Sequence, residues 1–508
     1  MPIRLGTTPT TPTTTHSPPT PDAPPASRSG TDAVPSTPAD LNAPLAPNTT
    51  PAADLQNLPQ PGSGPAASVG LRTGGALPWR ERPERSTDFI PVATQGLHAP
   101  IIQNGAPDGT LRFPVGSKVR ADIGGSHLQG SVQGYDYKGR ALLDVEGKRR
   151  TVAHEQLSLA GPSADRMSVL ASLPAGAVVT PPVRLREALN ASLDVRVNGT
   201  HSAREYMDAF HERGYEVFVV GGGVRDAIRT LNKNPQATQQ DLLAVLNDVD
   251  IVTTAPPPVA RQICEEIAPE LDKGGVWSPP FVEQFGVVLA GGKKAGQSDS
   301  EGLDICSMKT GGSTEEMRVD PDTGERCFPT TFGTDLMADA TARDFCCNAL
   351  YYDPYQQAVV DPTLQGIADA EHELLHPVDM PSRKDPGDPS LSPRFWKFRL
   401  RGFRTDGESL AAIRHNAQTT FSTRSGKQRW QLQNALGRTA PKDATTKDAV
   451  ETWLGALRNI MFKDHCADLF DRAIQRGVRK GVIASVLKRT TKGQTPPAPT
   501  TPASGGTP

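Results

Sequence analysis

The sequence has few of the features that characterise membrane, disulfide-rich or strongly charged proteins. Its 508 residues contain no apolar run approaching about 18 residues and no basic-then-apolar leader, so we expect no membrane span. The six cysteines are scattered without a CxxC pair, which argues against a zinc knuckle or a disulfide framework and favours a reducing compartment. The formal net charge is only −2, so any affinity for nucleic acid must come from local patches.

Large apolar residues are also scarce at the amino-terminal end. Residues 1–70 contain 16 prolines among threonine, serine and alanine, a composition that cannot bury enough surface to offset chain entropy. We therefore expect a disordered tail over residues 1–95, and a second one over residues 493–508. Such an amino terminus resembles those of bacterial type III secreted effectors. The expected location is the bacterial cytoplasm, or a host cell if the tail is an export leader.

A change of pattern at about residue 110 predicts a small folded unit over residues 110–162. Polar and apolar residues alternate over Lys118–Ala121 and Ala141–Val145, and glycine pairs such as Gly124-Gly125 punctuate them. This pattern is typical of short antiparallel strands and predicts a small SH3-like barrel.

The densest chemical pattern lies between Tyr215 and Asp250. An apolar run over Val217–Val220 predicts a strand, and the turn Gly221-Gly222-Gly223 leads from it into a predicted helix. Glycines let backbone amides approach a ligand closely, and the start of a helix attracts phosphate. We predict that Gly221 and Gly222 hold phosphate groups.

Two acids follow on the next predicted strand. Asp248 and Asp250 are two residues apart, so alternation along the strand directs both side chains to the same face. Paired carboxylates of this kind suit divalent cations. A phosphate cradle beside them indicates nucleoside triphosphate chemistry.

These motifs together resemble one known family. VVGGGVRD followed by DVDIVT is similar to the head domain of the tRNA nucleotidyltransferase and bacterial poly(A) polymerase family, within the polymerase-beta-like nucleotidyltransferases. Asp339–Asp353 resembles the RRDFTINAL block of that family, although Ala342 replaces its first arginine. The resemblance covers about residues 202–403 and implies an α+β fold: a head domain of mixed sheet and helices, followed by a helical neck and body.

The resemblance also implies a catalytic centre. Asp304, between two apolar residues of a later predicted strand, would be the third carboxylate beside Asp248 and Asp250. The three acids would bind two Mg²⁺ ions about 3.5 to 4 Å apart, one activating the acceptor hydroxyl and one clamping the leaving pyrophosphate.

Nucleotide contacts are implied in the same way. Arg343 would neutralise triphosphate charge, and Asp344 would accept a hydrogen bond from a ribose hydroxyl. Arg225 would either assist at the triphosphate or form a structural pair with Asp226. Arg394 would read the base edge with an acid from the interrupted segment that includes Asp385 and Asp388.

A basic segment follows the predicted head domain. Residues 394–438 carry ten lysines or arginines against two acids, which fits a surface that follows a phosphate backbone. The predicted RNA contacts are Lys397, Arg399, Arg401 and Arg404.

The resemblance implies metal-dependent transfer of ribonucleotides to an RNA 3′ end, of tRNA or of another RNA, with ATP as the favoured triphosphate. One alternative is a secreted effector that transfers a nucleotide to a protein hydroxyl. Another is an RNA-binding module with a decayed active site. The sequence leaves the oligomeric state open. The predicted division of the chain is a tail at 1–95, a barrel at 110–162, a head domain at 200–380, a basic helical neck and body at 381–492, and a tail at 493–508.

Overall fold

A computed structural model describes most of the chain after the amino-terminal tail. The described residues are 83–103, 113–160, 166–196, 201–246, 249–270, 276, 286–290, 303–311, 318–319, 326–327, 330–379, 389–441 and 443–492. The predictions for the tail up to residue 82, for 493–508, and for Asp248, Asp385 and Asp388 lie outside the described residues.

The described residues form strands and helices in alternating groups. The strands are β1 (Ile90–Pro91), β2 (Lys118–Ile123), β3 (Ser126–Asp136), β4 (Ala141–Val145), β5 (Lys148–Val152), β6 (Leu157–Leu159), β7 (Val178–Thr180), β8 (Val217–Val220), β9 (Asp250–Thr253), β10 (Val287–Ala290), β11 (Leu303–Ser307), β12 (Lys309–Gly311), β13 (Arg318–Val319), β14 (Arg326–Cys327), β15 (Thr331–Phe332), β16 (Tyr351–Asp353) and β17 (Ala358–Val360). The helices are α1 (Val183–Leu193), α2 (Ala203–Glu212), α3 (Gly222–Lys233), α4 (Gln239–Val245), α5 (Pro257–Ile267), α6 (Leu336–Thr341), α7 (Gly366–His372), α8 (Leu391–Leu400), α9 (Gly407–Thr420), α10 (Gly426–Thr439), α11 (Lys447–Lys463), α12 (Ala467–Gln475) and α13 (Val478–Lys492). The predicted α+β class is confirmed.

A mixed sheet forms the centre of the fold. Its strand order in the described residues is β1-β7-β17-β16-β8-β9-β11-β10. Neighbouring strands are antiparallel except for β9 and β11, which run parallel. The parallel pair brings two stretches that are far apart in sequence into direct contact.

The two faces of this sheet bury different clusters. Val217 and Val219 of β8 join the larger core, which extends into the carboxyl-terminal helices. Phe218 and Val220 join a smaller core with Val252 on the other face. Because successive side chains of a strand alternate between faces, Asp250 lies on the face that bears Val252 and Val220.

Helix α2 leads the chain into the sheet, as its sequence predicts. Ser202 accepts a hydrogen bond from the backbone N–H of Glu205, and the Glu205 carboxylate accepts one from the N–H of Ser202, so a capping box starts the helix. Tyr206, Met207 and Phe210 are buried. Gly214 follows at a φ of 82°, which a glycine adopts without strain, and the chain then enters β8.

The sheet of the small β unit includes two strands from the region predicted as the head domain. Strand β3 pairs with β2 and β4, and its far end pairs with β15, which in turn pairs with β12. The predicted antiparallel strands therefore form, but two short segments near residues 310 and 331 complete their sheet.

The carboxyl-terminal part is helical from α8 to α13. Phe395, Trp396 and Phe398 of α8 are buried. The ring of Trp396 packs edge to face with Phe421, and the ring of Phe398 packs edge to face with Phe403. Within the described part of the chain, no helix combines the length and apolarity needed to cross a membrane.

Candidate nucleotide and metal site

The glycine turn after β8 lies against one of the predicted acids. Gly221 has a φ of 84°, a conformation that disfavours any residue with a Cβ, and its N–H donates to the carbonyl of Leu350 at 3.0 Å. A Cβ built on Gly221 would lie 3.9 Å from Oδ2 of Asp250. Helix α3 begins at Gly222, so its unpaired N–H groups start beside this carboxylate.

Asp250 and Asp304 face each other across the parallel strand pair. They are register partners of β9 and β11, and neighbouring strands lie about 4.8 Å apart. Asp250 is half-buried and Asp304 is exposed. Two carboxylates at paired positions repel each other, and a bound cation would relieve that repulsion.

These donors fit a magnesium site in part. Carboxylate oxygens are the ligands that Mg²⁺ prefers, and the Asp250–Asp304 pair supplies two of them. Within the described ranges, no group of three or more histidine, cysteine or acidic side chains is arranged to hold a metal ion. The predicted third ligand, Asp248, lies outside the described residues, which resume at residue 249.

Arg343 lies near the same carboxylates. Its Nη2 pairs with Oδ2 of Asp339 at 3.0 Å, and its Nε donates to the hydroxyl of Tyr351 at 3.1 Å. The thiol of Cys306 lies in the same region. Burial raises its pKa to about 12; the charge of Arg343 opposes this rise, whereas the charges of Asp250 and Asp304 add to it. Arg343 and the two carboxylates therefore all act electrostatically on this thiol.

A hydrogen-bonded chain connects the glycine turn to helix α8. Arg225 is buried, pairs with Asp226 at 2.6 Å, and donates to Oδ1 of Asn348. Asn348 Nδ2 donates to Oδ1 of Asp344 at 2.9 Å, and Oδ2 of Asp344 pairs with Nε of Arg394 at 2.8 Å. The structural pairing of Arg225 with Asp226 is thus formed, and Arg394 contacts Asp344.

Helix α8 adds positive charge beside this chain. The pKa of Lys397 is lowered to about 8, mainly by burial and then by repulsion from Arg401 and Arg394. The pKa of Arg401 is also lowered, first by burial and then by Arg225. Arg394, Lys397 and Arg401 are three and four residues apart, so they share one face of the helix. An anion on this face would be attracted by all three.

The other two predicted RNA contacts differ from each other. The side chain of Arg399 is 8% exposed; its Nη2 pairs with Oδ1 of Asp464 at 2.8 Å, and its Nη1 donates to the carbonyl of Phe403 at 2.7 Å. This burial favours a structural role for Arg399 over the predicted RNA contact. Arg404 is exposed, and its Nη2 donates to the carbonyl of His372 at 3.1 Å.

Two residues that sequence reasoning did not single out support the site. Asp339 holds Arg343, and its Oδ1 also accepts the N–H of Lys309 at 3.1 Å. Asn348 joins Arg225 to Asp344. Both lie in the Asp339–Asp353 block, so their position in that motif was the available signal.

Part of the chain is similar to known proteins. Residues 217–376 match the family described as the Poly A polymerase head domain. A CCA-adding enzyme of Pediococcus pentosaceus is 26% identical over 215 residues, 42% of this chain and 44% of that protein. A CCA-adding enzyme of Lacticaseibacillus paracasei is 28% identical over 206 residues, 40% of this chain and 42% of that protein. The chain thus spans less than half the length of these curated relatives.

A solved structure is also similar. The Bacillus stearothermophilus CCA-adding enzyme in complex with CTP aligns at 20% identity and a TM-score of 0.33, over 57% of this chain and 69% of that one.

Proposed function

We propose that this chain transfers a nucleotide from a ribonucleoside triphosphate to the 3′ hydroxyl of an RNA, because residues 217–376 match the Poly A polymerase head domain family. The observation that carries the proposal is the register of Asp250 opposite Asp304, beside the glycine turn at Gly221. The similarity to CCA-adding enzymes supports an RNA acceptor.

Each side chain has a role in this proposal. Asp250 and Asp304, with Asp248, would hold divalent metal ions, which would supply charge neutralisation for pyrophosphate departure and lower the pKa of the acceptor hydroxyl. Amides of Gly221 and Gly222 bind triphosphate oxygens at the start of α3. ATP is the favoured triphosphate, and two Mg²⁺ ions are the expected complement.

The arginines and Asp344 orient the nucleotide. Arg343, fixed by Asp339 and Tyr351, supplies positive charge on the metal side of the site. Asn348 and Arg394 fix the carboxylate of Asp344. In this position it would accept a hydrogen bond from a ribose hydroxyl. Arg394 therefore acts on the nucleotide through Asp344, and Arg225 acts through Asn348.

The test is incorporation of labelled ribonucleotides. The purified chain is incubated with each α-labelled nucleoside triphosphate in turn, with Mg²⁺, mixed RNA and cell extract. We expect label in RNA, and we expect Asp250→Ala and Asp304→Ala each to lower the rate by at least about a hundredfold, because each removes a metal ligand. Asp248→Ala should behave in the same way.

Glu187→Ala provides the matched control, since Glu187 is an exposed acid of α1. It should retain full activity, and circular dichroism should be unchanged in all variants. Undiminished incorporation by the Asp250 or Asp304 variant would refute the assignment. Label that appears in protein rather than RNA would identify a protein hydroxyl as the acceptor.

A further inference from the structure

A second candidate site lies in the carboxyl-terminal helices, outside the head domain. A cavity of about 520 Å³ is formed by the end of α9, the turn after it, and residues 465–476. It shares no residue with the glycine turn or with the Asp250–Asp304 pair. Its volume falls in the range of about 300 to 1,000 Å³ that is usual for small-molecule sites.

Arginines dominate the lining of this cavity. Arg414, Arg424, Arg472 and Arg476 line it together with a single carboxylate, Asp468. Four guanidinium groups against one carboxylate give the cavity a strong excess of positive charge. Guanidinium groups bind phosphate through paired N–H donors, so such a lining selects phosphorylated ligands.

Most of this charge has no acidic counterpart. Arg472 pairs with Asp468 at 2.6 Å. Arg414 donates from Nε to the backbone carbonyl of Asp464 at 2.9 Å, and Arg476 donates to the carbonyl of Ser422; neither carbonyl neutralises a full charge. Within the described part of the chain, no ion pair involves Arg424, whose side chain is exposed at the cavity edge.

The cavity also has an apolar floor. Phe421, Cys466 and Leu469 line it and are 1%, 1% and 8% exposed. These side chains are almost completely covered, so the arginines supply the surface that a ligand would contact. Their paired N–H donors select the phosphate of a nucleotide.

The backbone beside the cavity includes one unusual conformation. Thr423, between two lining residues, has a φ of 43°. A β-branched residue is rarely found at such an angle, and such positions concentrate at ligand sites. Thr423 is also buried, and its hydroxyl has no hydrogen-bond partner within the described residues.

We propose that this cavity, the arginine pocket, binds a nucleotide through its phosphate, presented by a free nucleotide or by an RNA strand. The site is separate from the centre proposed for nucleotidyl transfer. It stands whether or not the chain has that activity, because it rests on different residues.

Binding measurements on the full chain test the proposal. The variant Arg424→Ala/Arg472→Ala removes two exposed charges from the pocket. The matched control Lys447→Ala/Lys463→Ala removes two exposed charges from other positions of the same helical region. Thermal denaturation verifies that both variants fold. The probes are ATP, followed by titration calorimetry, and a fluorescein-labelled single-stranded oligoribonucleotide, followed by anisotropy.

The two probes separate the sources of the phosphate. If free nucleotide occupies the pocket, the pocket variant binds one ATP molecule fewer than the wild-type chain and the control. If RNA occupies it, ATP stoichiometry is unchanged and the pocket variant binds the oligoribonucleotide at least tenfold more weakly, against less than twofold for the control. Equal behaviour of pocket variant and control with both probes would overturn the proposal. Neither measurement requires turnover, so loss of the transfer activity does not affect the result.

Discussion

Glu216 is a buried acid immediately before β8, and the groups that donate hydrogen bonds to its carboxylate lie far from it in sequence. Its carboxylate accepts hydrogen bonds from the hydroxyl of Ser168 and from the N–H of Val169. Burial raises its pKa to about 7, and the hydrogen bonds from Ser168 and Val169 oppose that rise. The folded chain therefore holds a proton on Glu216 at pH values where the unfolded chain has released it.

The sign of the resulting pH dependence follows from linkage. The ordinary pKa of a glutamate is about 4.5, so the contribution of Glu216 is fully present below that pH and is lost as pH rises towards 7. We expect Glu216→Gln, which mimics the protonated form, to be more stable than the wild type by about 3 kcal/mol above pH 7 and equally stable near pH 4.5. Urea denaturation at several pH values measures this difference.

A second buried acid serves as the control for that experiment. Burial raises the pKa of Asp353 to about 6, so Asp353→Asn should remove a separate part of the same pH dependence. If the slope of stability against pH is the same in Glu216→Gln as in the wild type, Glu216 is ionised in the folded state and the assignment is wrong.

Single residues differ in how well the sequence predicts them. The turn at Gly221 follows from local chemistry, because an apolar strand, three glycines and a helix start are adjacent in the chain. The pairing of Asp250 with Asp304 depends on parallel register between strands that are some fifty residues apart, which no local pattern encodes. The family resemblance named Asp304, and its catalytic role stays a prediction.

The basic residues of helix α8 lie in two different surroundings. Arg399 points inward to Asp464, which also accepts the indole N–H of Trp396 at 3.1 Å. Arg394 and Lys397 lie on the side that meets Asp344. The spacing of basic residues in the sequence predicts a charged helix, but the partner of Arg399 lies 65 residues further along the chain, so its burial was not predictable.

The basic face of α8 predicts proton uptake on nucleotide binding. Lys397 is about half protonated near pH 8, because burial and the neighbouring arginines lower its pKa. A bound triphosphate would favour the charged ammonium, so we expect about half a proton to be taken up per nucleotide at pH 8. Calorimetry of ATP binding in two buffers with different ionisation enthalpies measures this quantity.

Lys397→Met retains the aliphatic stem and removes the titrating group. In this variant the apparent binding enthalpy should no longer depend on the buffer near pH 8. If the wild-type enthalpy is independent of the buffer, ATP does not bind within reach of Lys397.

At the scale of the whole molecule, one histidine joins the head domain to the helical body. His376 is buried between two buried carboxylates, with Nδ1 at 2.7 Å from Asp369 of α7 and Nε2 at 2.9 Å from Asp406, the residue that caps α9. The contact crosses from the last helix of the head domain to the first turn of a body helix.

Loss of this histidine should destabilise the chain strongly. His376→Leu would leave Asp369 and Asp406 buried without their shared partner, and loss of the partner of a buried carboxylate costs about 3 to 5 kcal/mol. Chemical denaturation measures the loss. His372→Leu is the control, because His372 lies on the same helix as Asp369 and is less buried, and it should change stability by less than about 1 kcal/mol. Similar losses in both variants would show that His376 contributes only its packing.

The small β unit is joined almost directly to the strand that carries Asp304. Strand β11 ends at Ser307, and after the single residue Met308 the chain continues as β12 in the sheet of the small unit. Met308 is fully buried, and its N–H donates to the carbonyl of Thr253 at 2.7 Å. One residue spans only about 3.8 Å, so the chain has no slack at this junction. Any partner that tilts the small β unit would therefore displace the strand that carries Asp304, the carboxylate proposed to bind metal.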